Sequence, residues 1–162
     1  MSDLSMLEMI TKLAAAEVAI HVNARHALEK VAAAVEKTAK GEIGVYQDAI
    51  GPFSAWPELA QSTQDDRERL GYSANDPLLR DGTMRDSIEH RVAELEAEIG
   101  SDSDILVYQE FGTARIPPRP VLGPAAEHNH DLIMRELGGA VVAGLIGGSA
   151  IHASLGYDRE VS

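Results

Sequence analysis

The sequence contains no cysteine, which excludes disulfides, thiolate metal sites and cysteine nucleophiles. Aromatic residues make up only 4% of the 162 residues, so the core must be built mainly from Leu, Ile, Val and Ala. The start, MSDLSMLEMI, has no basic segment followed by a continuous apolar stretch. We therefore expect no secretory signal and a chain that stays soluble in the cytosol. The apolar share of 44% is typical of a globular protein.

Basic residues are also few, because 14 Lys and Arg stand against 26 Asp and Glu. The excess of acid lies in the middle of the chain, where residues 42–113 contain 16 of the acidic residues and only five of the basic ones. Binding to duplex nucleic acid needs clustered Lys and Arg. We therefore expect no sequence-specific nucleic-acid binding. An acidic surface can still face DNA in transit, because repulsion prevents the DNA from sticking.

One long helix is predicted at the N-terminus. Residues 4–40 contain neither Pro nor Gly, include ten Ala, and repeat apolar residues at steps of three and four. Gly41 is expected to end this helix. About 35 residues give a helix of roughly 50 Å, which exceeds the width of a domain this small. We therefore expect the helix to project or to lie along a neighbouring subunit, with an arm folded back on its own domain as the alternative.

The middle of the chain predicts shorter elements. Residues 41–57 predict a loop or a short strand edge. The stretch from Pro57 to Leu70 predicts a second helix, with Pro57 at its first position. Residues 72–86 are rich in turn signals. The stretch 87–99 fits a strand and a helix equally well, and its pattern alone does not decide between them.

The last third of the chain predicts a strand, an extended segment and a helix. Ile105 to Phe111 predicts a short strand, and residues 112–124 hold four Pro and are expected to be extended. A final helix is predicted from Ala125 to Ser149. The apolar stretch 137–151 has fifteen residues, fewer than the roughly 20 that span a bilayer, so we predict a tightly packed helix rather than a membrane segment.

Polar clusters give little support for catalysis or metal binding. The run 127–131 contains metal-ligand residue types, but residues two apart on a helix do not face each other. His21 and His26 lack the spacing of a zinc hydrolase helix. The glutamates at alternate positions in 94–98 are typical of a solvated face. Neither a phosphate-binding loop nor a Gly-x-Ser-x-Gly elbow is present. We predict no enzyme, no metal and no cofactor.

Several short motifs follow one another in a fixed order between about residues 50 and 135. They are Trp56-Pro57-x-Leu59 with Thr63, Leu79 with Gly82, Met84, Ser87 and Ile88, Tyr108-Gln-Glu-Phe-Gly-Thr113, Ile116-Pro-Pro-Arg-Pro-Val121, and Gly123-Pro-Ala125. In this order the segment resembles the tail-completion or minor tail proteins of tailed phages, also called head–tail connector or virion morphogenesis proteins. It departs from the family pattern at Val121, where Phe is usual, and the Gly-rich sequence after residue 137 has no match there.

The resemblance implies an α+β fold with a long N-terminal helix, a small mainly antiparallel sheet and a closing C-terminal helix. It favours strands in the 87–99 stretch, paired with Ile105 to Phe111. The predicted division is a long helix over 1–41, an α+β core like that of the family over 42–135, and a Gly-rich apolar helix and tail over 136–162.

The proline-rich part of the motif is the candidate interface, and we call residues 112–120 the strap. Gly112 is expected to free the backbone for a turn, and the prolines to hold the segment stiff. Arg119 is expected to clamp Glu110, and the strap to position the last helix. The candidate structural and interface residues are Trp56, Glu110, Phe111, Gly112, Thr113, Pro117, Pro118, Arg119 and Pro120.

The function implied by the resemblance is a structural virion protein of the phage neck or tail. Such a protein forms a ring, commonly a hexamer, that completes the tail or joins it to the head. Its partners would be other copies of itself and the neighbouring connector and tail-tube proteins, with DNA only as passing cargo and no membrane. It would lie in the host cytoplasm before assembly. Two alternatives stay open: an oligomeric interaction module with an acidic face outside any virion, and a hydrolase using His90 or His128.

Overall fold

The fold is α+β and mostly helical, as predicted, in the computed structural model, which describes residues 5–146. A long N-terminal helix, a two-stranded antiparallel sheet and a C-terminal helix are all present. The elements are α1 (Met6–Glu42), α2 (Gln61–Arg69), α3 (Thr83–Asp86), β1 (Ile88–Ala93), β2 (Glu96–Ser101), α4 (Asp104–Phe111), α5 (Leu122–His128) and α6 (His130–Ile146).

Helix α1 confirms the prediction of one long helix. Its 37 residues correspond to about 55 Å. It begins with a capping box, in which the Ser5 N–H donates to Glu8 Oε2 (2.9 Å) and the Glu8 N–H donates to Ser5 Oγ (3.3 Å). The prediction that Gly41 ends the helix is wrong. The helix continues to Glu42, and Gly44, whose φ is +102°, follows it.

The chain divides into two compact units. Among the described residues, the first contains the α1 residues up to Val31, the hairpin residues Val92–Ala97 and residues 131–146. Within it α6 lies antiparallel to α1, because Lys30 Nζ contacts Glu136 Oε1 (2.8 Å) while Gly144 lies against Ile20. No helix within residues 5–146 is long and apolar enough to cross a membrane.

The second unit contains residues Ala32–Arg91 and Glu98–His130. Its core is formed by small and branched apolar side chains of α1 together with one tryptophan and residues of the later elements. These buried residues are Ala32, Val35, Ala39, Ile43, Trp56, Met84, Ile88, Leu106, Val121 and Ala125. Helix α2 begins at Gln61, four residues later than predicted. The carbonyls of Pro57 and Glu58 accept hydrogen bonds from a distant arginine instead of from a helix.

Two sequence predictions in this unit are wrong. The stretch Ile105–Phe111 is not a strand but most of helix α4, so β1 and β2 pair only with each other. The predicted single helix from Ala125 is two helices, because Asn129 interrupts it. The Asn129 Nδ2 donates to the Ala125 carbonyl and to Thr38 Oγ1, both at 2.8 Å, which fixes a turn between α5 and α6. Residues 147–149 of that prediction lie outside the described residues.

The ambiguous stretch 87–99 forms strand β1, a turn and the first part of β2. The resemblance therefore gave the right element type here. Glu94 and Leu95 connect the strands, and Glu94 has a φ of 54°, in the left-handed region. Because the reversal lies inside the stretch, neither one continuous strand nor one helix describes it.

Candidate interaction site: the strap and its cavity

Arg119 anchors the strap to the segment that precedes α2. It is 4% exposed, and its Nε and Nη2 donate to the Pro57 carbonyl at 3.0 and 2.8 Å, while Nη2 also donates to the Glu58 carbonyl at 3.0 Å. Burial lowers the pKa of Arg119. The predicted clamp between Arg119 and Glu110 is wrong, because backbone carbonyls satisfy the guanidinium.

Glu110 caps helix α5 instead. Its carboxylate accepts hydrogen bonds from the backbone N–H groups of Val121 (2.7 Å), Leu122 (3.3 Å) and Gly123 (3.4 Å). The first N–H groups of a helix have no partner within the helix, and a negative charge also suits the helix dipole there. Glu110, which precedes the strap, therefore fixes the start of α5, the helix that follows the strap.

Gly112 makes the turn that starts the strap. Its φ is 71°, and a Cβ at this position would lie 2.9 Å from both the Ile116 carbonyl oxygen and the Pro118 nitrogen. The turn is closed by the Thr113 N–H, which donates to the Ile116 carbonyl (2.8 Å), and by Thr113 Oγ1, which accepts from the Ile116 N–H (3.1 Å). The prediction that Gly112 frees the backbone for a turn is confirmed, although the turn follows a helix rather than a strand.

Trp56 closes the other end of the strap. Its side chain is buried, and its Nε1 donates to the Pro120 carbonyl at 3.0 Å. The strap residues Pro117 and Pro118 are exposed and belong to no helix or strand. The prediction that 112–124 is extended is wrong at its end, because residues 122–124 begin α5. Trp56, Glu110, Thr113 and Arg119 therefore each make hydrogen bonds to backbone groups in or beside the strap. Gly112 supplies the turn.

Phe111 is the exception among the predicted residues. It is 79% exposed and joins neither Trp56 nor the strap. Val107 and Tyr108 are also about half exposed, at positions four and three residues before Phe111. At this spacing they share one helix face with Phe111, so α4 presents an apolar face outward.

A cavity of about 660 Å³ lies beside the strap. Its apolar lining comes from four separate parts of the second unit: Leu59, Leu78, Met84, Ile105, Ile116 and Pro117. Two exposed arginines also line it, Arg80, whose guanidinium lies 5.0 Å from the centre of the Tyr72 ring, and Arg115. Turn signals in the sequence indicated the segment that carries Leu78 and Arg80. No sequence pattern indicated the cavity, because its residues converge only in the fold.

The lining of the cavity carries more positive than negative charge. Four arginines line it, against the two acids Glu58 and Asp81. Arg67 and Arg119 donate to backbone carbonyls. A hydrogen bond from the Thr83 N–H (2.9 Å) lowers the pKa of Asp81. This local excess of positive charge contrasts with the net charge of −12 on the whole chain.

Glu42 is a buried carboxylate at the end of α1. It is 4% exposed, and neither carboxylate oxygen has a hydrogen-bond partner among residues 5–146. His128 Nε2 lies 3.8 Å from Glu42 Oε1. Burial, and secondarily the charge of Glu110, raises the pKa of Glu42 to about 8. The sequence pattern gave no sign of this group, since a Glu after Gly41 is typical of a solvated helix end.

His90 and His128, the candidates for a hydrolase, do not line the strap cavity. His90 Nδ1 contacts the Glu36 carboxylate, and His128 faces Glu42. Within the part of the chain that the structure describes, no group of three or more His, Asp or Glu is arranged to hold a metal ion. Glu94, Glu96 and Glu98 are exposed.

No protein-family model matches the chain, and no curated protein or solved structure matches it. The resemblance to tail-completion proteins therefore depends on the motif order in the sequence.

Proposed function

We propose that this chain is a structural protein of the phage neck or tail, which assembles into a ring of identical copies, six to match the symmetry of the tail. The motif order supports the class of protein. The observation that carries self-assembly is the exposed first half of α1, which we call the arm (Met6–Val22). Seven large apolar side chains of the arm are half exposed or more: Met6, Leu7, Met9, Ile10, Leu13, Val18 and Val22.

The area of the arm suits a subunit contact. Each large apolar side chain contributes roughly 60–120 Å² if its burial is worth about 1.5–3 kcal/mol at 25 cal/mol per Å². Because these seven side chains are 50–76% exposed, together they offer roughly 250–500 Å². This is about a third to two thirds of the ~800 Å² that each partner buries in a stable protein–protein interface. Apolar patches of this size on a soluble chain mark interaction sites.

The charge of the arm favours a second copy as its partner. The arm carries only Glu8, Lys12 and Glu17 as charged residues, whereas the whole chain has a net charge of −12. Two copies therefore repel each other least where their arms approach. A membrane surface is a poorer partner, because helices that lie on membranes carry several Lys or Arg on the polar face. The acidic residues 42–113 would rim a channel through which DNA passes without binding.

The first test is the mass of the assembly. Light scattering at high protein concentration is expected to show particles near six times 17.4 kDa. Replacing Leu7, Ile10 and Leu13 together by Gln should shift the equilibrium to single copies. The control is Ala33→Gln, an exposed position of α1 outside the arm, which should assemble normally. If the two variants assembled equally, the arm would not be the contact between copies.

The second test is the phage particle. Electron microscopy of particles made without this protein is expected to show a defective neck or tail end. Full heads beside unattached tails would indicate a joining role, and overlong tails would indicate length termination. Normal, infectious particles would contradict the proposed function. Turnover of a substrate that is lost in His128→Ala with folding intact would favour the hydrolase instead.

A further inference from the structure

Two residues other than glycine have positive φ among residues 5–146, Leu78 at 62° and Glu94 at 54°. The left-handed region is unfavourable for residues with a Cβ, and a two-residue hairpin turn normally uses Gly or Asn there. Such strain often accompanies functional surfaces. Leu78 lines the strap cavity, and Glu94 forms the tip of the β1–β2 hairpin. The strap cavity and the end of the hairpin therefore both carry a strained residue, and the two surfaces have complementary polarity and charge.

The hairpin tip is an apolar residue between two acids. Leu95 is 48% exposed, and its neighbours Glu94 and Glu96 are exposed on either side. None of the three takes part in an ion pair described for residues 5–146. We call these three residues the tip.

The strap cavity has the opposite character. Its lining is apolar at Leu59, Leu78 and Ile116, and the exposed Arg80 and Arg115 add positive charge. An apolar residue flanked by carboxylates therefore fits this cavity in both polarity and charge. Arginine also pairs well with carboxylates, because its planar guanidinium can donate two parallel hydrogen bonds.

We propose that the tip of one copy docks into the strap cavity of the next copy, with Leu95 against the apolar lining and the carboxylates of Glu94 and Glu96 toward Arg80 and Arg115. The proposal rests on the proposed self-assembly and names a contact within it. The tip and the cavity are different surfaces, so the contact is head-to-tail. Repetition of a head-to-tail contact generates a ring when the rotation between copies closes.

A second copy is a better occupant of the cavity than nucleic acid or a basic peptide. The acidic chain repels nucleic acid as a whole, and the arginines repel a basic segment. An unrelated acidic peptide has the right charge, and it is an alternative outcome of the test below. The tip adds to that charge a single leucine held outward on a hairpin.

The test uses the absence of cysteine from the sequence. One preparation carries Ala93→Cys, an exposed position beside the tip that leaves Leu95 in place, and a second carries Thr63→Cys, an exposed position on the cavity wall. The two are mixed under assembly conditions and treated with a short bis-maleimide. The expected product is a cross-linked pair of about twice 17.4 kDa, formed at least tenfold faster than in the control mixture. In the control mixture Glu89→Cys, exposed on β1, replaces Thr63→Cys.

A second variant separates docking from folding. Glu94→Gly removes the carboxylate and relieves the positive φ, so the melting temperature should rise while association of otherwise unmodified chains weakens several-fold. Exchanging the charges of the tip and of the cavity tests the ion pairs directly. Glu94→Arg together with Glu96→Arg should weaken association, and combining both with Arg80→Glu and Arg115→Glu should restore part of it. Association that is unchanged in Glu94→Gly and in the reversed tip would overturn the proposal.

The outcomes distinguish this contact from the proposed function. Assembled particles in which the mixture of Ala93→Cys and Thr63→Cys chains reacts no faster than the control would overturn the docking of the tip and leave the ring intact. A fast and specific cross-link, together with phage that do not need the protein, would support the docking and refute the neck or tail role. Suppression of cross-linking by an acidic peptide of unrelated sequence, but not by added unmodified copies of the chain, would overturn self-docking and assign the cavity to another protein.

Discussion

Three charged residues near the strap have different environments in the fold. Arg119 binds the carbonyls of Pro57 and Glu58, Glu110 caps α5, and Glu42 is buried without a hydrogen-bond partner among the described residues. The sequence predicted correctly that Arg119 and Glu110 have structural roles. It assigned the wrong partner, because opposite charge suggests a pair while backbone groups carry no signal in a side-chain motif.

Glu42 makes stability depend on pH. Its pKa is raised from 4.5 to about 8 by folding, so the folded state holds a proton that the unfolded state releases. The contribution of this proton to the free energy of unfolding is fully present below pH 4.5 and is lost as pH rises through about 8. Glu42→Gln keeps the shape of the side chain and stays neutral at every pH. It should therefore reduce the pH dependence of the urea-unfolding midpoint between about pH 5 and 8 and raise the midpoint at about pH 7. The exposed Glu17→Gln is the control, and a Glu42→Gln curve parallel to it would refute the prediction.

At the scale of single elements, the difference between a strand and a helix over 105–111 shows what a short pattern leaves undetermined. Ile105, Val107, Tyr108 and Phe111 are all half exposed or more, and only Leu106 is buried. An apolar run predicts burial on both faces of a strand, whereas this helix leaves an apolar face outward. The tertiary structure thus overrides a β-rich composition. Helix α1 was predictable because its length and period are unambiguous, while the strap was predictable because proline restricts its own backbone.

Close packing of α6 on α1 gives a prediction with a matched control on the same helix. A Cβ on Gly144 would lie 2.4 Å from Ile20 Cγ1 and 2.6 Å from Ile20 Cα, whereas nothing lies within 4 Å of a Cβ on Gly138. Gly138→Ala should stabilise the protein by about 0.5–1 kcal/mol, because Ala is the better helix former. Gly144→Ala should instead lower the free energy of unfolding by about 1–3 kcal/mol through overpacking. Thermal unfolding followed by circular dichroism measures both, and stabilisation of similar size in the two variants would contradict this contact.

For the whole molecule, the net charge of −12 limits association more than any single residue does. Repulsion between copies acts over tens of ångströms and is screened strongly once the Debye length falls to about 10 Å near 0.1 M salt. Ion pairs inside a docked contact are shorter and are screened less. Raising NaCl from about 20 to about 200 mM should therefore strengthen association, measured as the concentration at half assembly. A steady weakening with salt would mean that attraction between opposite charges, and not apolar contact, dominates the assembly.

The burial of Trp56 gives the chain its own optical reporter. It is the single tryptophan of the sequence, and its indole N–H is held by the Pro120 carbonyl at the end of the strap. Its fluorescence therefore reports changes in the strap region and not changes in the arm, which contains no tryptophan. Substitutions in the arm should leave the emission blue-shifted, and loosening of the strap should shift it to the red. One fluorescence spectrum would therefore distinguish a change in the arm from a change in the strap.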